Sequence, residues 1–115
     1  MTYCDIVERL KQIGIEQCKG ALARDKNGLV TNCLLPECMF KFKLGLAKVA
    51  SVCALGAIYY AKVSGWIAQE ESREIENSLE RACLDIRNCG VATLNDQFGV
   101  TFQEFCSISR GEKVK

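Results

Sequence analysis

Eight cysteines, at positions 4, 18, 33, 38, 53, 83, 89 and 106, are the side chains in this 115-residue sequence best suited to chemistry, and no histidine accompanies them. Histidine is the commonest general base and proton shuttle, so no thiol here has the usual partner that would make it a catalytic nucleophile. No Cys-x-x-Cys redox pair occurs either. Cys33-x4-Cys38 and Cys83-x5-Cys89 could be two halves of a four-thiolate zinc site. Paired ligands in structural sites stand about two to four residues apart, however, and the second pair misses that spacing. No metal and no cofactor is therefore expected.

An even cysteine count in a short chain fits an oxidising compartment and a disulfide framework. The disulfide candidates are Cys18, Cys33, Cys83, Cys89 and Cys106. A hairpin would bring Cys18 near Cys33, and Cys106 could reach back to Cys89 or Cys83. Each bridge would close a loop of about 15–20 residues and contribute about 3 kcal/mol in the chain-entropy model. The competing reading is that the thiols are free and buried, acting as small apolar side chains.

The acids Glu70, Glu71, Glu74, Glu76 and Glu80 could suggest a carboxylate site, but the solvated face of a helix explains them more simply. Gly14, Gly20 and Gly28 fit no nucleotide-binding fingerprint. Fifteen Lys and Arg against fourteen Asp and Glu leave no face committed to phosphate, which disfavours nucleic acid. The charge is uneven, at +2 over residues 1–43, +2 over 44–68 and −3 over 69–115. Neither an enzyme nor a small-molecule substrate is indicated.

A single pattern dictates the elements that would hold these residues. One proline in the whole chain speaks for long helices, and no strand pattern is strong, so the fold class is all-α, a single helical domain over 1–115. A first helix is predicted over 2–23, with Thr2 as its cap and Asp5 beside the N-terminal dipole. The opening stretch is amphipathic and acidic early, unlike a secretory leader. Asn27-Gly28 marks a turn. From Pro36 no breaker appears until after residue 68, which predicts one long central apolar helix of about 36–68, flanked by amphipathic helices. The next helix covers 69–88, with Ile75, Leu79, Ala82 or Cys83, and Ile86 on its apolar stripe. "VATLNDQFGVTF" reads as a loop with a short extended piece, and Thr101 caps a last helix, "FQEFCSIS".

Placed on a helical wheel, Ala47, Ala50, Cys53, Ala54, Ala57, Ala61, Ser64 and Gly65 share one arc of small residues, a packing face that lets a second helix approach closely. Lys41, Phe42, Lys48, Tyr59, Lys62 and Trp66 are the candidate membrane-interface residues. They flank the apolar run as aromatic belts and interfacial lysines do. Lys48 and Lys62 lie about 10 Å from the midpoint at Leu55, close enough for a lysine stem to reach the interface. The first expectation is thus a non-enzymatic accessory subunit of a membrane-bound complex, its central helix a transmembrane helix that meets other protein subunits and lipid. A mitochondrial inner membrane would reconcile the cysteines with the opening stretch. The alternative is a disulfide-stapled helical bundle, periplasmic or secreted, that binds and inhibits a partner through the acidic helix 69–88.

Overall fold

The structure, a computed structural model, describes residues 1–26, 30–31 and 49–111. Helix α1 (Tyr3–Gln12) begins at a capping box: the Thr2 hydroxyl accepts from the Asp5 N–H at 3.2 Å, and the Asp5 carboxylate accepts from the Thr2 N–H at 2.8 Å. The helix does not run on to residue 23. Gly14, at φ +82°, takes the left-handed turn, and Ile15 N–H bonds back to Leu10 C=O. A short strand β1 (Glu16–Gln17) follows, then β2 (Ala23–Asp25) and β3 (Val30–Thr31).

Residues 36–48 of the predicted central helix lie outside the described residues, and the rest is not one helix. Residues Val49–Val52 form a strand, β4, and the helix α2 that follows covers only Ala54–Val63. β4 is an inner strand of a four-stranded sheet ordered β1-β4-β2-β3. It pairs parallel with β1 (Glu16 with Ser51, Gln17 with Val52) and antiparallel with β2 (Ala23 with Val52, Arg24 with Ser51). Two sets of partners, each far off in sequence, make a strand of Val-Ala-Ser-Val, which by itself is neutral between helix and strand. Cys53 marks the switch, its extended backbone capping α2 while its sulfur accepts the Gly56 N–H at 3.2 Å.

Helix α3 (Gln69–Arg87) ends at Asn88, in the left-handed conformation at φ 56°. The segment read as a loop starts with a helical turn and a half, α4 (Val91–Asp96), and α5 (Phe102–Ser109) is capped by Thr101 and Glu104 as α1 is by Thr2 and Asp5. α2 packs on the sheet through β4 and on α1, α3 and α4, while α5 packs on α1 and α3. Ile6, Leu10, Ile58, Leu79, Leu94, Phe105 and Ile108 form the centre of the core. The described chain is mostly helical with a small sheet.

Three expectations are overturned. Among the described residues no helix is long and apolar enough to cross a membrane, because β4 cuts the apolar run and α2 has only ten residues. The mitochondrial inner-membrane setting loses the span on which it rested. Of the side chains assigned to a membrane interface, Tyr59 and Trp66 have partners within the chain. Tyr59 donates to Glu76 at 2.7 Å, Trp66 stacks edge-on with Tyr60 at 5.5 Å, and the Arg9 guanidinium lies 4.4 Å from the Trp66 ring centre. Lys62 is half-buried on the last turn of α2, and Lys41, Phe42 and Lys48 lie outside the described residues. The disulfide candidates Cys18, Cys83, Cys89 and Cys106 are free thiols, held on separate elements by the packing, and Cys33 lies outside the described residues.

Candidate functional site

The small-residue face is divided between elements. Ala54, Ala57 and Ala61 are fully buried along α2, Cys53 is its cap, and Ala50 is half-buried on β4. Ser64 ends α2, Gly65 is exposed at φ +81° beyond it, and Ala47 lies outside the described residues. Gly56, which the wheel leaves unremarked, makes the closest approach. A Cβ there would overlap the carbonyl oxygen of Leu22 and stand 2.9 Å from its carbon, and that oxygen already accepts the Cys53 N–H at 3.0 Å.

The thiols that the structure buries are kept protonated. Burial pushes Cys83 up to about 11 and Cys106 up to about 12. It raises Cys53 as well, although the Gly56 and Leu55 N–H groups pull the other way. A protonated thiol is a poor nucleophile and a poor metal ligand. Cys4, half-buried between α1 and α5, accepts from the Arg110 guanidinium at 3.3 Å and lies 3.6 Å from the Cys106 carbonyl and the Ser109 hydroxyl. Among the described residues no group of three or more Cys, Asp or Glu could hold a metal ion, and Cys33 and Cys38 lie outside them. A shallow cleft of about 280 Å3 opens beside Tyr3, Glu74, Ile75, Ser78, Leu79 and Ser109.

The most constructed part of the molecule lies elsewhere, where the sheet meets α4 and α5. Asn95 is 1% exposed, and all of its side-chain hydrogen-bonding groups are used. Its Oδ1 accepts from the Gln17 amide at 2.7 Å and from the Ala54 N–H at 3.0 Å. Its Nδ2 donates to the Cys18 carbonyl at 2.9 Å and to the Asp96 carboxylate at 2.8 Å. The same carboxylate oxygen accepts the Gly20 N–H at 2.9 Å. Gln17 also donates to the Val100 carbonyl at 2.8 Å and accepts the Phe102 N–H at 2.7 Å. This knot closes on both ends of the connection from α4 to α5, and a further bond joins the Val100 N–H to the Leu94 carbonyl.

At the middle of that tethered loop stands Phe98, 60% exposed and the most exposed large apolar side chain described. Gly99 follows it at φ +62° and gives the turn that lets the loop close. The amides of the knot do not titrate near neutral pH, and their part in it is to hold the backbone through hydrogen bonds. What the knot does is hold an aromatic ring out from the surface on a backbone with little freedom.

Sequence reasoning missed this region. One signal was present: Val91, Leu94 and Asn95 stand at i, i+3 and i+4, so a helix through them puts an amide on an apolar face, where it must find partners. Nothing near Gln17 announces its role. No family model, curated protein or solved structure matches this chain.

Proposed function

We propose that the chain is a non-enzymatic protein-binding module, an accessory or inhibitory partner that docks through the loop carrying Phe98. The observation that supports this reading is the fixing of that loop from both ends while its aromatic residue stays in solvent. A single exposed apolar side chain is ordinary on a protein surface. A rigid aromatic differs, because little conformational entropy is lost when a partner covers it, and aromatic anchors of this kind dominate binding energies. A second reading puts the contact on α3, where Leu84 is 51% exposed beside Arg81 and Asp85.

Photo-cross-linking separates the two. A benzophenone amino acid is placed in turn at residues 98, 84 and 13 and irradiated in the cells that make the protein. The docking loop should give one dominant protein adduct from position 98 and little from the others. A dominant adduct from 84 would favour α3, and equal labelling from all three, Ile13 being just as exposed, would refute a dedicated site.

A further inference from the structure

We propose that the surface received at Phe98 is acidic, carrying carboxylates around an apolar contact, an inference that rests on the docking role of this loop. Two cations stand at the same corner. The Lys19 ammonium lies over the residue after Phe98, so close that a Cβ at Gly99 would be 3.2 Å from it. Arg24 donates to the Lys19 carbonyl at 3.0 Å, and its guanidinium passes 3.9 Å from where a Cβ of Gly20 would be. Both therefore stay on the turn that the knot fixes through Gly20 and Asp96.

Among the described residues Lys19 enters no ion pair. The acid at this corner is Asp96. It is itself exposed, and one of its oxygens accepts two N–H donors, from Gly20 and Asn95, so the corner carries two cations against one carboxylate. The corner beside Phe98 thus carries one cation in excess, with the exposed Lys19 ammonium next to the loop and Arg24 behind it. The complement to that surface is an apolar group flanked by Asp or Glu. Apolar contact would supply affinity, while the charges would supply rate, register and salt dependence.

The test uses the full chain as bait for a phage library of short random peptides, with binding of the enriched peptides then measured to the wild type, Phe98→Ser and Lys19→Glu. Both changes in side chain lie at the surface, and matching thermal midpoints establish that both variants fold. Enriched peptides should carry Asp or Glu on either side of an apolar residue. They should bind each variant about tenfold more weakly than the wild type, and weaken severalfold from about 50 to 500 mM NaCl. Peptides that need Phe98 but lack acids and ignore Lys19→Glu would overturn the acidic partner and leave the docking loop standing. Peptides indifferent to Phe98→Ser, or no enrichment at all, would overturn both.

Discussion

The two sides of α2 are held by different forces. Towards the sheet, at Cys53, Ala54 and Gly56, individual atoms have named partners: an Asn95 oxygen for the Ala54 N–H, a sulfur for the Gly56 N–H, the Leu22 carbonyl for the Cys53 N–H. Towards α1 and α3 the contacts are mainly hydrocarbon, among them Ile6, Leu10, Ile58, Leu79 and Cys83, where shape and volume matter, and the Tyr3 hydroxyl on the Ala54 carbonyl and Tyr59 on Glu76 are the polar exceptions. Among the described residues no buried side-chain nitrogen or oxygen is left unpaired, so the polar side is a completed network. A network of that kind tolerates little change in chemistry, whereas a hydrocarbon core tolerates little change in size.

Substitution at the polar side should therefore have the largest effect. Asn95→Leu keeps the branched shape, with a somewhat larger side chain, but strands the Ala54 N–H, the Cys18 carbonyl and one N–H of the Gln17 amide. With each buried orphan worth about 1–3 kcal/mol, a loss of about 4 kcal/mol in urea unfolding is expected. The same change should free the Phe98 loop, seen as faster amide exchange at residues 97–101. Gly56→Ala comes next, at about 3 kcal/mol, because the obstacle is backbone that cannot rotate away. Leu79→Met tests the other side. Leu79 is 1% exposed, yet a flexible side chain of similar volume should cost less than about 1.5 kcal/mol. Equal losses for Asn95→Leu and Leu79→Met would show that the two regions do not differ as argued.

Proton binding sharpens the contrast further. The buried thiols Cys83 and Cys106 titrate near 11 and 12 in the folded chain, against an ordinary value of 9.0. Below pH 9 both states keep these protons and the contribution is whole. Above it the unfolded chain ionises while the folded one cannot, so stability falls as pH climbs from about 9 towards 11–12. Cys83→Ala should make that alkaline decline shallower. A decline of unchanged slope would mean that Cys83 ionises freely in the folded state.

How much of this was legible follows from how far each element depends on distant partners. α3 shows in its own spacing of Ile75, Leu79, Cys83 and Ile86, and the capping of α1 and α5 shows in Thr2–Asp5 and Thr101–Glu104, because those interactions close within one helix. β4 does not show. Val-Ala-Ser-Val is neutral between helix and strand, no Gly or Pro punctuates it, and what makes it a strand is pairing with residues 16–17 and 23–25. The membrane reading failed for the same reason. Aromatic residues spaced like a belt along one helix face Arg9 and Glu76 in the fold, contacts that no local pattern encodes. At the Phe98 loop the residue that organises everything, Asn95, was legible as a misplaced amide, but its partners Gln17 and Cys18 lie far off in sequence.

The smallest effect tests whether the ends of the helices belong to either regime. Asp5 is fully exposed, and its carboxyl lies below the ordinary value of 3.8, chiefly because it accepts the Thr2 N–H and then because of the Thr2 hydroxyl. A carboxylate depressed in this way contributes stability above about pH 4, where both states are ionised, and loses it as pH falls through the folded value. Acid unfolding of the wild type should accordingly steepen slightly below pH 4, whereas Asp5→Asn, which cannot gain a proton, should lose a small increment at pH 7 and converge on the wild type in acid. Water surrounds this cap, so the increment should also shrink in high salt, unlike the loss at Asn95. An Asp5→Asn profile parallel to the wild type at every pH would show that the cap binds the neutral and the charged carboxyl equally well. The electrostatic part of the start of α1 would then be nil, and hydrogen bonding alone would hold the helix end, as it holds the buried knot.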